Sequence, residues 1–173
     1  MAQIVLINGY GGVGKDTFVD FVRKYYKKGE VSSISTVDRV KIAADYLGWD
    51  GKKDEKGRNF LSQLKFLACE YDDNFSKKYI EECLSTMGED DVLFVHVREP
   101  EEIDYLKKTF NGITILIKNS RVAQPHNRAD LNVFNYCYDF IILNESSLEE
   151  LKITARTFAS TVLVNEEWRN ENV

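Results

Sequence analysis

Gly9-Tyr10-Gly11-Gly12-Val13-Gly14-Lys15-Asp16-Thr17 is the stretch that decides the fold of this chain. An apolar run, Ile4-Val5-Leu6-Ile7, precedes it, and from Lys15 onward apolar residues recur with helical spacing. A buried strand that turns through glycines into a helix start lets backbone N–H groups wrap a phosphate chain, because side chains there would block the approach. Gly9 and Gly14 frame the turn, with Gly11, Gly12 and Val13 along it. Lys15 follows the last glycine and is placed to reach the β- and γ-phosphates of a nucleoside triphosphate. The strict pattern has Ser or Thr directly after the lysine. Here Asp16 stands in that place and the hydroxyl comes one residue later, at Thr17. Both belong to the first helical turn, so Thr17 is expected to ligate Mg²⁺ and Asp16 to orient the water shell of the ion. ATP and Mg²⁺ are the cofactors this motif implies.

The 173 residues and an ordinary globular composition fit one domain with a sizeable core. A net charge of −5 argues against general nucleic-acid binding, which needs a basic surface. It leaves room for a small polyanionic substrate held by a local cluster of Arg and Lys. Cys69, Cys83 and Cys137 are odd in number and show no CxxC spacing, so they read as buried thiols of a reducing compartment. The start, Met1-Ala2-Gln3, has no basic leader, and no apolar run approaches the roughly 20 residues of a membrane span. A soluble cytoplasmic protein with neither nucleic-acid nor membrane partners is expected, and a homodimer is left open.

Phe18, Phe21, Val22 and Tyr25 give the first helix an apolar face that ends near Lys28-Gly29. A strand at about 31–36 is followed by Asp38, read as the N-cap of a helix carrying Val40, Ala43, Ala44 and Leu47. In an open parallel sheet, ligands bind at the carboxyl ends of the strands, so Asp38, Arg39 and Lys41 are expected near the glycine loop. Gly48 to Gly57 is a charged loop, and Arg58 opens the next segment, which carries two helical patterns in turn. Their stripes, Phe60, Leu64, Leu67 and Tyr71, then Phe75, Tyr79 or Ile80, Leu84 and Met87, are assigned to packing. Residues 48–91 together read as a helical insertion on the acceptor side. Val92 to Val97 is a strand covered on both faces, with His96 in it as a satisfied core residue. Arg98 stands at its end, before Pro100, Glu101 and Glu102 of a helix start. Strands at 113–117 and 139–143 complete the sheet. Between them, 119–137 is long and polar, as a lid loop would be, and carries Arg121, His126 and Arg128. A last helix opens at Ser146 or Ser147, with a stripe of Leu148, Leu151, Ala155, Phe158 and Val162. Strands that alternate with helices imply an α/β, three-layer architecture, a five-stranded parallel sheet with helices on both faces and right-handed crossovers.

With these positions in hand, the chain resembles the phage-type deoxynucleoside monophosphate kinases and their uncharacterised bacterial relatives, within the P-loop nucleotide kinases. Gly14-Lys15-Asp16-Thr17 matches the Gly-Lys-Asp-Thr of that family. Val37-Asp38-Arg39-Val40-Lys41 is similar to its Ala-Asp-Pro-Leu-Lys, Arg58 with Leu61 and Gln63 to its Arg-x-Leu-Leu-Gln, and Val97-Arg98-Glu99-Pro100-Glu101-Glu102 to its Asp-Val-Arg-Phe-Pro-x-Glu. Tyr138 to Asn144 and the Ser-Leu-Glu-Glu-Leu helix are similar to its last strand and helix. His96 departs from the Asp that the family has two places before the arginine, and Asn127, Arg128, Ala129 and Asp130 replace its His-Glu-Ser-Glu run.

The resemblance implies a P-loop NTPase fold and transfer of the ATP γ-phosphate to a nucleoside or deoxynucleoside monophosphate. Gly9, Gly11, Gly12, Val13, Gly14, Lys15, Asp16, Thr17 and Asn144 would then hold the cofactor, while Asp38, Lys41, Arg58 and Arg98 hold the phosphorylated acceptor. Lys15, Arg98, Arg121 and Arg128 would stabilise the transferring group. A P-loop kinase of a non-nucleotide metabolite and a catalytically impaired ATP-binding regulator are the other readings.

Overall fold

The computed structural model describes residues 2–123 and 132–164. Five strands, β1 (Gln3–Asn8), β2 (Val31–Ser35), β3 (Val92–His96), β4 (Ile113–Lys118) and β5 (Phe140–Leu143), form one parallel sheet in the order β2-β3-β1-β4-β5. Among the described residues, no helix is long and apolar enough to cross a membrane.

Alternation along β1 divides the core. Val5 and Ile7 join Phe94, Ile115 and Ile117 on one face, under α1 (Lys15–Tyr25) and α6 (Leu148–Thr157), whose Phe18, Val22, Leu151 and Ala155 they meet. Ile4 and Leu6 turn the other way with Leu93 and Val95, under α4 (Phe75–Leu84) and α5 (Pro100–Phe110), which contribute Ile80, Ile103 and Leu106. A strand with both faces covered is apolar along most of its length, which is why Ile4 to Ile7 and Val92 to Val95 read as continuous hydrophobic runs. α2 (Asp38–Tyr46) and α3 (Glu55–Tyr71) lie beside this frame over a satellite cluster of Val40, Ala44 and Leu61.

Several local expectations need correction. α1 stops at Tyr25, where Tyr26 turns extended, short of Lys28-Gly29. Asp38 does not cap α2; its Oδ2 accepts the Ser35 N–H (2.7 Å) and closes the turn out of β2. α3 begins at Glu55, before Arg58, because the Asp54 carboxylate caps it by accepting the Gly57 N–H (2.8 Å). Leu67 and Tyr71 are exposed on α3, and its buried residues are Gly57, Leu61 and Lys65. Leu47 and Leu148, assigned to apolar stripes, are also exposed, and of the three thiols expected to be buried, Cys69 and Cys83 are half-buried and Cys137 is exposed. Ser147 is the residue that caps α6, accepting the Glu150 N–H, and the helix ends in a π-helical turn, Phe158–Val162.

Candidate active site

The parallel register aligns the carboxyl ends of the strands. Ile7 stands beside His96, His96 beside Ser35, and Asn8 beside Leu116, so the loops leaving β1, β2 and β3 open onto one cleft. Its volume is about 1110 Å³. The glycine loop forms one wall, through Gly11, Gly12, Lys15 and Asp16. Facing it are Ser33 to Asp38 and Lys41 of the β2–α2 junction, Arg58, Ser62 and Lys65 of α3, and His96 to Glu99 of the β3–α5 junction.

The loop is built as a cradle of backbone. Gly9, Gly12 and Gly14 have φ of +140°, +82° and +99°. A Cβ on Gly9 would lie 2.4 Å from the Ile117 carbonyl oxygen, so the loop seats directly on β4. A Cβ on Gly14 would lie 2.5 Å from Asn144 Nδ2, which donates to the Val13 carbonyl (2.8 Å) and ties the end of the loop to the segment after β5. Lys15 Nζ folds back over the loop and donates to the carbonyls of Gly9 (2.6 Å) and Tyr10 (2.7 Å). Its ammonium is therefore held at the loop mouth by neutral acceptors that a phosphate can replace. Thr17, half-buried, and Asp16, with an exposed carboxylate, occupy the first turn of α1. Mg²⁺ accepts oxygen ligands, and of these two residues Asp16 lines the cleft whereas Thr17 does not.

Asn8, only 1% exposed, is a hub that sequence reasoning missed. Its Oδ1 accepts the Gly9 N–H (2.7 Å), and its Nδ2 donates to the Arg98 carbonyl (3.1 Å) and to the Tyr138 phenolic oxygen (2.7 Å). Tyr138 in turn donates to the Val133 carbonyl (2.8 Å). Burial pushes the Tyr138 phenol up to about 12, against the bond from Asn8. A polar residue directly after the apolar run Ile4 to Ile7 and directly before Gly9 was the available signal.

His96 is not enclosed in the core. It lines the cleft with Nε2 3.0 Å from Ser33 Oγ and 3.6 Å from Asp16 Oδ1. Burial holds its pKa below the ordinary histidine value, while the Asp16 carboxylate works against that. Asp38 and Lys41 both line the cleft and are paired to each other (2.7 Å). Arg39 is turned away, paired with Glu82 and lying over the Tyr79 ring. Arg58 reaches across the cleft: a Cβ on Gly11 would lie 3.6 Å from its Nη2. Arg98 lines the cleft at the end of β3. Arg121 sits on the other side of the loop, donating to the carbonyls of Asn144 (3.3 Å) and Ser146 (3.2 Å), and does not line the cleft. His126 and Arg128 lie outside the described residues.

A second missed feature is a buried charge cluster at the cleft floor. Lys65, 7% exposed, donates to Thr36, Glu99 and Glu102. Burial works to discharge Lys65, but Glu102 and Glu99 overcome it and hold the ammonium above the usual lysine value. The two carboxylates divide: burial leaves Glu102 above the ordinary value, whereas at Glu99 burial is outweighed by the Lys65 charge and the hydrogen bonds together, which hold it below.

No family model and no curated protein matches the chain. Among solved structures it is similar to a shikimate kinase from Aquifex aeolicus, with TM-score 0.51 and 14% identity over 94% of this chain and 100% of that one. An unliganded sugar kinase from Janibacter gives 0.46 and 14%, over 95% and 99%. A shikimate kinase from Bacteroides thetaiotaomicron gives 0.45 and 13%, over 90% and 97%. At 14% identity the likeness to the Aquifex structure shows the fold alone, a parallel five-stranded α/β sheet with helices on both faces.

Proposed function

We propose that this chain is an ATP-dependent phosphotransferase that moves the γ-phosphoryl group of ATP onto a small anionic acceptor in the cleft. The observation that carries the reading is the backbone cradle ending in Lys15, faced across one cleft by Arg58 and Arg98. N–H groups from Gly11 to Lys15 would hold the phosphates, with Lys15 exchanging the carbonyls of Gly9 and Tyr10 for phosphate oxygens. Thr17 and Asp16 would hold Mg²⁺, which neutralises phosphate charge when bound. Arg98, with Lys41 or Arg58, clamps the acceptor. An acceptor oxygen attacks the γ-phosphorus, the bond to the β-phosphate oxygen breaks, and ADP leaves with that electron pair. An acceptor that is already a phosphate anion needs no general base, so positioning and charge supply the rate. In this reading Arg121 leaves the carbonyls of Asn144 and Ser146 and, with Arg128, closes over the transferring group.

The sequence resemblance supports a nucleoside or deoxynucleoside monophosphate as the acceptor. One observation favours a non-nucleotide metabolite instead. Among the described residues that line the cleft there is no Phe, Tyr or Trp, while Ser33, Ser35, Thr36 and Ser62 supply hydroxyls. A base stacked on an aromatic face gains ~1–3 kcal/mol, which this lining does not offer. A coupled ADP-release assay with Mg²⁺–ATP tests both against a panel of NMPs, dNMPs, sugar phosphates and hydroxy acids. Turnover of a monophosphate nucleotide supports the first class, and turnover confined to the hydroxylated anions supports the second. ATP bound without transfer to any of them, or to water, would remove the phosphotransferase reading and leave an ATP-binding regulator.

A further inference from the structure

Nothing in phosphoryl transfer calls for a cation at the position of Lys65, yet the fold encloses one there. Its Nζ donates to Thr36 Oγ1 (2.9 Å), Glu99 Oε2 (3.1 Å) and Glu102 Oε2 (2.5 Å), which uses the three protons of an ammonium. The second oxygen of Glu102 accepts from Ser76 Oγ (2.5 Å) at the start of α4. The Lys65 side chain is 9% exposed and that of Glu102 15%. An ion pair in solvent constrains little, but breaking one with this burial strands the Glu102 carboxylate, while that of Glu99 is 41% exposed.

The partners of Lys65 stand next to the groups that face the acceptor. Thr36 lies two residues before Asp38, which pairs with Lys41. Glu99 directly follows Arg98. Lys65 itself comes two helical turns after Arg58 on the same face of α3, with Leu61 and Ser62 between them lining the same cleft. Lys41, Arg58 and Arg98 are thus carried by three different elements, and one ammonium bonds where those elements meet.

We propose that Lys65 is a positioning residue: by binding Thr36, Glu99 and Glu102 at once, it holds Lys41, Arg58 and Arg98 at the spacing at which they close on one acceptor anion. The identity of that anion rests on the phosphotransferase reading, but the convergence of the three cations can be measured without turnover.

The full chain, its glycine loop filled with Mg²⁺–ADP, is titrated with inorganic phosphate by calorimetry. Wild type is expected to bind phosphate. Lys65→Met should weaken that binding at least about tenfold and leave Mg²⁺–ADP affinity within about twofold. The same variant should melt at lower temperature, because the buried Glu102 keeps only the Ser76 hydroxyl and stands beside Glu99 with no cation between them. Adding Glu99→Gln and Glu102→Gln removes that conflict; the triple variant should regain the melting temperature and not the phosphate affinity. Phosphate affinity that recovers together with stability would show a merely structural lysine and overturn the proposal. So would a Lys65→Met variant that binds phosphate as wild type does, or a wild type filled with Mg²⁺–ADP that binds none. Failure to bind Mg²⁺–ADP counts against the phosphotransferase reading instead. The phosphate titration is then run on Lys15→Met chains with and without Lys65→Met, where the same tenfold loss is expected and equal affinity refutes the proposal.

Discussion

Gly14→Ala and Asn144→Ala, made singly and together, measure whether the glycine loop is fixed in the way its contacts indicate. Gly14 has φ of +99° and ψ of 21°, and a Cβ at this position would meet Asn144 Nδ2 at 2.5 Å. Alanine in the left-handed region costs about 1–2 kcal/mol. The amide must also move aside, and losing its bond to the Val13 carbonyl costs about 1 kcal/mol more. Gly14→Ala should therefore destabilise by about 2–3 kcal/mol. Asn144→Ala alone forfeits the same bond, about 1 kcal/mol. In the double variant that bond is lost only once, so the total stays at about 2–3 kcal/mol and the cycle shows a coupling of about 1 kcal/mol. Urea unfolding of the four chains gives the numbers, and Mg²⁺–ATP calorimetry should show the same coupling if the loop is the binding site. Strict additivity would refute the contact between Gly14 and Asn144 as the means by which the loop end is held.

Asn8→Ala removes the acceptor of the buried Gly9 N–H and the donor to the Arg98 carbonyl and the Tyr138 phenol, and should cost about 2–3 kcal/mol in urea unfolding. A loss below 1 kcal/mol, within about the range of a solvated surface change, would contradict the hub. The Tyr138 phenol, held up to about 12 mainly by burial, sets an alkaline limit. Its folded pKa lies above the unfolded value of about 10, so the unfolded chain gives up this proton first. Stability is intact below about pH 10 and falls as pH rises towards about 12. Unfolding measured across that window should show a shallower decline in Tyr138→Phe, and an unchanged slope would show that Tyr138 does not carry it.

The sheet was legible because its strands are locally distinctive. Val92 to Val97 is apolar but for His96, and Ile113 to Ile117 but for Thr114, as expected of strands covered on both faces. The glycine loop was legible because its constraint, backbone approach without side chains, is written in consecutive residues. What escaped is non-local. The Asn8 partners lie 90 and 130 residues away, and Lys65 reaches carboxylates 34 and 37 residues away. Periodicity read α3 as a stripe of Phe60, Leu64, Leu67 and Tyr71, since an apolar pattern cannot anticipate that a lysine is the buried residue. Glu99 and Glu102 make that rotation stable, turning Lys65 inward and leaving Leu67 and Tyr71 exposed. His96 failed for a related reason: it ends β3 where the strand leaves the covered sheet, so its ring meets the cleft and Asp16.

Calorimetric titration of Mg²⁺–ATP into wild type and Lys15→Met tests the central claim most directly. Lys15 makes charge-assisted bonds at the loop mouth, and replacing it should weaken binding by about ten- to a hundredfold while the chain stays folded. A wild type indifferent to Mg²⁺–ATP, or a Lys15→Met variant that binds it equally well, would contradict the account.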